Sequence, residues 1–201
     1  MKLKLSLLIL GSVAALLGSG CTSTGGGYMT TSKAAPNATA GNIASLKQEI
    51  DAGYDATLPR LYQNARGSRE LVAKARGVLI FPSVLAAGLV VGAEYGKGAL
   101  RVGGQPAGYY QTVSGSLGWQ LGAQSKAVIF LFMTQDALDR FRRGNGWTAG
   151  VDASVALVKI GANGDVDLNT AQQPVIGFVM TNAGLMANLT LEGTKISKLD
   201  M

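Results

Sequence analysis

From Ile43 the apolar positions fall at three- and four-residue steps: Ile43, Leu46, Ile50, Tyr54, Leu58 and Leu61. That spacing lines one side of a helix. Asn42 stands where a cap belongs, and Gly53 and Pro59 predict a break or kink between about 53 and 59. A second helix is predicted over Ser68 to Lys74, capped by Ser68 and ended by Gly77. After Gly77 the period changes. Val78 to Phe81 reads as a short buried strand punctuated by Pro82, and Val84 to Tyr95 and Lys97 to Val102 as strands around Gly96. Within Tyr109 to Gln124, Leu117, Trp119, Leu121 and Ala123 alternate with Gly118, Gln120, Gly122 and Gln124, the period of a two-faced strand. Lys126 to Met133 is apolar almost throughout and predicts a central strand.

Thr134 to Arg143 predicts a short amphipathic helix. Thr134 caps it, Asp136 sits in the first turn, and Arg140, Arg142 and Arg143 sit in the last, an order that matches the helix dipole. Leu138 and Phe141 are its core-facing residues. Strands follow at Thr148 to Ile160, Val175 to Thr181, Gly184 to Leu191 and near Lys195 to Lys198, and Asn163-Gly164 is a strong two-residue hairpin signal. Seven to nine strands joined mostly by short turns predict an α+β domain, with N-terminal helices packed on an antiparallel sheet. Glycines recur inside the strand regions (Gly88, Gly92, Gly115, Gly118, Gly122, Gly150, Gly177, Gly184). They weaken strands unless close packing or curvature requires them, so the sheet is expected to be strongly curved or a small closed barrel. A porin-type barrel would need strands of about ten residues with an outer apolar band throughout, and several strands here read as shorter.

The N-terminus follows another pattern. Lys2 and Lys4 precede an apolar run from Leu5 to Leu17, and Gly18-Ser19-Gly20 leads to Cys21. The run is shorter than the roughly twenty residues of a membrane span and reads as a secretory signal over residues 1–20. Small residues before the lone cysteine of the chain predict a bacterial lipoprotein, with acyl chains attached covalently to Cys21. Residues 21–41, rich in Gly, Ser, Thr and Ala, read as the lipidated cysteine and a flexible tether, and residues 42–201 as the folded domain. Thr22 stands where some bacteria read an aspartate as inner-membrane retention, so the expected address is the outer membrane, facing the periplasm.

Charge and composition narrow the chemistry. Without Lys2 and Lys4 the formal excess of +6 falls to +4, which suits anionic headgroups. No run of five like charges exists and aromatics are sparse, so no nucleic-acid partner is expected. Histidine is absent. With one cysteine and no histidine, Ser-His-Asp and Cys-His nucleophiles and His- or Cys-rich metal sites are excluded. No catalytic residues, cofactor or metal site are expected. An enzyme would have to use a Ser-Lys or carboxylate pair, and a polar cleft gathering Glu94, Tyr95 or Lys97 would be its sign.

From about Ala44 to Lys198 the chain resembles the SYLF-domain family, the lipid-binding module of a yeast actin-patch protein and its animal and plant relatives, also found in bacterial lipoproteins. The likeness is carried by Ala73 to Pro82 (AKARGVLIFP), Ala87 to Leu100 (AGLVVGAEYGKGAL) and Ser114 to Gln124 (SGSLGWQLGAQ), then by the apolar strand ending at Met133 and Asn182 to Gly193 (NAGLMANLTLEG). The order and spacing of these segments, rather than any one of them, make the match. The resemblance implies membrane-lipid binding, with phosphoinositides for eukaryotic members, and no enzymatic activity. Actin is not expected as a partner of an exported bacterial protein. What carries over is affinity for an anionic phospholipid membrane, with another envelope protein as the alternative partner.

Four sets of residues are candidates for binding. Arg60, Arg66, Arg69, Lys74 and Arg76 form a basic segment opposed only by Glu70. Arg66, Arg69 and Arg76 have a spacing that puts them on one side of a helix, suited to an interfacial face, although a solvated helix face fits the same pattern. Arg140, Arg142 and Arg143 fit dipole complementation better than a binding site. Asn163, Asp165, Asp167 and Asn169 loosely resemble a calcium loop, but glycine stands second rather than sixth and no closing glutamate follows, so a plain hairpin fits better. Gly96-Lys97-Gly98 lacks the following helix that a phosphate-binding loop needs.

Overall fold

The computed structural model describes residues 36–88, 91–117, 125–144, 146–158, 166, 172–182, 184–186 and 190–201. Cys21, the signal and the first part of the expected tether lie outside them, as do Asn163, Asp165, Asp167 and Asn169. Pro36–Met201 forms one compact unit. Its described residues include three helices, α1 (Pro36–Asn64), α2 (Ser68–Lys74) and α3 (Gln135–Arg143). The strands are β1 (Gly77–Gly88), β2 (Val91–Val102), β3 (Gln105–Leu117), β4 (Ser125–Phe132), β5 (Gly146–Thr148), β6 (Ala156–Leu157), β7 (Val175–Thr181), β8 (Gly184–Leu185) and β9 (Lys195–Lys198).

The strands form one strongly curled half-barrel sheet in the order β5-β9-β3-β2-β1-β4-β7-β6, with β8 paired to β7. Of the two shapes expected, the curved sheet is the one present. It is mixed rather than wholly antiparallel, because β6 runs parallel to β7. A two-residue hairpin forces antiparallel pairing, but β6 and β7 are joined by a long connection that imposes no such constraint.

The sheet is covered on both faces. One face carries Leu79, Phe81, Leu100, Val128, Phe130 and Phe132 with Leu138 and Phe141 of α3 and Trp147 of β5. The other carries Val78, Ile80, Ala99, Ile129 and Leu131 with Ile50, Tyr54 and Leu61 of α1 and Leu71 of α2. β4 lies between β1 and β7 and from Ala127 to Phe132 is buried on both sides, which is why that stretch is continuously apolar. On the α3 face, Phe132 and Phe141 are 4.7 Å apart, and Trp147 stands edge-on to Phe130 and Phe141 at 5.9 and 5.7 Å.

Local structure departs from the sequence reading in several places. The strand expected over Thr148 to Ile160 is present as β5, which ends at Thr148, and β6 at Ala156–Leu157, because Gly150 at φ 83° turns the chain between them, and of the strand expected over Gly184 to Leu191 the described part is Gly184–Leu185. α1 begins at Pro36, not at Asn42, and reaches back into the segment read as tether. Proline is favoured in the first turn of a helix because the missing N–H has no partner there anyway. Asn42 instead sits inside the helix, its carbonyl accepting from Ser45 Oγ at 3.0 Å. α1 also passes unbroken through Pro59. Ile50 and Tyr54 on one side of the proline and Leu61 on the other are buried against the same sheet face, and this packing holds the helix across the lost hydrogen bond.

Ser68 is the first residue of α2 and not its cap. The cap position is Gly67, at φ 84°, and the Ser68 hydroxyl turns back to donate to the Ala65 carbonyl at 2.7 Å. Finally, Gly96 does not divide two strands. Residues 84–88 complete β1, and β2 runs without interruption from Val91 through Gly96 to Val102. β1 continues past Pro82 by way of a register shift between Ile80 and Ser83, a bulge that absorbs the proline's missing donor.

Candidate functional site

α1 is tied to the sheet by one cationic side chain that sequence patterning did not single out. Arg101 of β2 donates to both carboxylate oxygens of Asp55, at 2.5 and 3.2 Å, and to Asp51 at 3.5 Å. Its guanidinium lies over the Tyr54 ring, 4.1 Å from the centroid. Tyr109 of β3 donates its hydroxyl to Asp51 at 2.7 Å. Asp51 and Asp55, one helical turn apart, thus present two carboxylates to one planar cation.

The tyrosines of this cluster have phenol pKa values above the usual value near 10. Burial is the main cause at Tyr54, opposed by Arg101, and burial followed by the hydrogen bond to Asp51 is the cause at Tyr109. Burial also raises Tyr110. The folded chain therefore holds protons that the unfolded chain gives up earlier as pH rises. The stabilisation is fully present below about pH 10 and is lost as pH climbs through the higher folded values. Urea unfolding at pH 9 and pH 11.5 is expected to show a lower midpoint at the higher pH. Tyr54→Phe, which removes the ionisable group, is expected to reduce that difference.

The basic segment is distributed by the α1–α2 junction. Arg60, on α1, is half-buried and donates to the Thr181 carbonyl at 3.3 Å. Arg69 is inside α2, exposed, and lies over the Tyr62 ring at 4.3 Å. Lys74 closes α2. Arg66 and Arg76 are outside the helix. The Arg66 carbonyl accepts from the Val166 amide, and the Arg76 amide donates to the Phe132 carbonyl. The single helical face expected of Arg66, Arg69 and Arg76 is therefore absent, because α2 is only seven residues long and ends between them. All four of Arg66, Arg69, Lys74 and Arg76 are exposed, and among the described residues no carboxylate pairs with any of them.

Period-two alternation decides the fate of the suggested polar cleft. Glu94 points to the α3 face, whereas Tyr95 and Lys97 point to the α1 face. Glu94 is buried and meets Lys126 of β4 at 2.8 Å and the Ser114 hydroxyl at 3.0 Å. Tyr95 instead forms a cross-strand row with Leu85 and Val113. These three are 44%, 53% and 44% exposed, unusual for large apolar side chains on a sheet. A groove of about 540 Å³ separates Leu85 and Tyr95 of this row from α1, and Arg60 and Lys97 stand along it with Glu49. The three residues thus gather no acid–base constellation.

α3 matches its sequence reading, with Thr134 accepting from the Ala137 amide at 3.2 Å and Leu138 and Phe141 buried. Its arginines separate, however. Arg140 pairs with Asp136 at 2.8 Å, whereas Arg142 and Arg143 line a cavity with Lys198. Among the described residues no three carboxylates, histidines or cysteines come together as a metal site would require. Likewise, no described helix is long and apolar enough to cross a membrane.

Residues 113–200, from the end of β3 through β9, match the family model described as Ysc84, Las17-binding protein actin regulator. A bovine protein (Bos taurus) named SH3 domain-containing YSC84-like protein 1 is 26% identical over 130 residues, 62% of this chain. The match spans 38% of that relative's length.

Proposed function

We propose, for a chain that carries a domain of the Ysc84 (SYLF) family, the role of a non-catalytic envelope lipoprotein that binds an anionic phospholipid surface. In this reading Cys21 carries the acyl chains, and the domain lies against the periplasmic side of the outer membrane. The observation that carries the proposal is the set of four exposed cations around α2, Arg66, Arg69, Lys74 and Arg76, without carboxylate partners among the described residues. Cations left unneutralised by their own fold are available to headgroups, each worth about 1 kcal/mol near an anionic surface. Acylation would hold the domain close enough for this weak attraction to matter.

Co-sedimentation of the mature chain carrying Cys21→Ser tests this reading. Binding is expected to vesicles rich in phosphatidylglycerol and not to zwitterionic ones, and to weaken as salt shortens the Debye length from about 10 Å at 0.1 M to 3 Å at 1 M. Changing Arg66, Arg69 and Arg76 together to glutamine removes about 3 kcal/mol of attraction, roughly a hundredfold in affinity. A folded triple variant that binds as the parent does, insensitive to salt, would exclude the basic cluster as the lipid site.

The second reading is a protein partner in the envelope, favoured by the exposed row Leu85, Tyr95 and Val113. Its sign would be salt-insensitive envelope association lost in Leu85→Ser/Tyr95→Ser and retained in the triple glutamine variant.

A further inference from the structure

The end of α3 gathers more charge than a helix end needs. Arg142 and Arg143 close the helix, and Lys198 arrives from β9, more than fifty residues later in the chain. The register fixes how they meet. Lys198 stands directly opposite Tyr110 across the β3–β9 pair, so both side chains leave the sheet on the face that α3 covers. Between them lies a cavity of about 430 Å³ lined by Ala107, Tyr110, Asp139, Arg142, Arg143 and Lys198.

Three cations face one carboxylate in this cavity, and Asp139 already accepts a hydrogen bond from Gln135 at 2.9 Å. Arg140 is not part of the group, because it is engaged with Asp136. Dipole complementation accounts for arginines in the last turn of α3, but not for a lysine from a separate strand converging on them. Three cations against a single carboxylate leave an excess of positive charge in the cavity that a further anion would offset. Tyr110 adds a donor. Its ring is buried against Phe141, at 4.9 Å between centroids, and its hydroxyl has no hydrogen-bond partner among the described residues. Burial raises the pKa of this phenol, with Arg142 acting in the opposite sense, so at neutral pH it keeps its proton and can donate it.

We propose that this cavity is an oxyanion site that takes a phosphate group, held by the guanidinium groups of Arg142 and Arg143, the ammonium of Lys198 and the hydroxyl of Tyr110. Two planar forks and a point charge suit a tetrahedral dianion with several free oxygens better than a single carboxylate. Two sources present such a group, free phosphate and the headgroup of a phospholipid, and the chemistry of recognition is the same for both. The site is built from other residues than the basic cluster at α2, and it does not depend on the membrane reading above.

The test is a titration of the Cys21→Ser chain followed through the arginine Nε–H and lysine signals in NMR. Inorganic phosphate is one ligand, monomeric dihexanoyl phosphatidylglycerol is the other, and chloride at matched ionic strength is the control. Saturable shifts at Arg142, Arg143 and Lys198 are expected with phosphate, with the phospholipid or with both, and not with chloride. Whichever ligand binds more tightly identifies the source. Arg142→Gln/Arg143→Gln and Lys198→Gln should each weaken binding about tenfold or more, as expected for lost hydrogen bonds to a charged group. These side chains are exposed, so the variants are expected to fold, which far-UV circular dichroism would check. The Arg66, Arg69 and Arg76 triple variant should bind phosphate like the parent, whatever it does to vesicle binding. The proposal is overturned if shifts with both ligands merely follow ionic strength, or if Lys198→Gln binds as tightly as the parent.

Discussion

Lys126→Met should lower the unfolding free energy by about 3 kcal/mol, the lower end of the cost of breaking a buried ion pair by removing one partner. Lys126 and Glu94 are 2.8 Å apart, with side chains only 17% and 9% exposed. Removing the ammonium strands a carboxylate beneath the sheet, where the Ser114 hydroxyl supplies a single remaining hydrogen bond. That bond is why the lower end is expected. The double variant Glu94→Gln/Lys126→Met leaves no charge to desolvate and should recover most of the loss, since a neutral amide can still accept from Ser114. Urea unfolding of the parent, both single variants and the double variant gives the coupling directly. A single variant within 1 kcal/mol of the parent would mean that water reaches the Glu94 carboxylate and that the pair contributes little.

The same pair illustrates what a sequence can and cannot convey. Glu94, Tyr95 and Lys97 look like one polar cluster because they are adjacent in the chain. On a strand, adjacency separates: Glu94 goes to one face and its neighbour to the other. Lys126, its actual partner, lies thirty-two residues away, and nothing local marks the two as a pair. Lys198 escaped for the same reason, since only the β3–β9 register brings it to Arg142 and Arg143. Arg101 escaped too, although Asp51 and Asp55 are spaced for one helix face and a partner cation could have been sought across from them.

Elements governed by local chemistry were legible. α3 carries its cap, its dipole charges and its core residues within ten positions. The bounds of α2 and β7 and the central place of β4 followed from periodicity and composition. Curvature followed from the glycines. α1 runs through the expected break because the force that holds it is tertiary: the packing of Ile50, Tyr54 and Leu61 on a sheet not yet formed when only the sequence is considered. The β1–β2 boundary was misplaced because Gly96 and Pro82, both ordinary breakers, lie together at a bulge inside a continuous hairpin.

Gly98→Ala should have the larger effect of two outwardly identical substitutions. The ideal Cβ at Gly98 would fall on the Ile80 carbonyl oxygen and lie 2.7 Å from Phe81 Cδ1. The collision is with backbone, so no rotamer change relieves it, and β1 and β2 would have to part at the bulge beside Pro82. Phe81 is fully buried and stands edge-on to Phe130 at 6.3 Å, so the displacement would reach the core of the α3 face. A loss of about 3 kcal/mol or more is expected, the upper end for overpacking a core. For a domain of this size that is a fall of roughly 6–12 °C in Tm. Gly115, in β3 of the same sheet, is the control, because a Cβ there meets nothing within 4 Å. Alanine at that position removes the entropic cost of glycine in a strand and should stabilise by about 0.5–1 kcal/mol. Thermal unfolding followed by circular dichroism compares the two directly. Opposite signs are the expected result, and equal shifts would show that the glycine at 98 serves flexibility rather than the close approach of two strands.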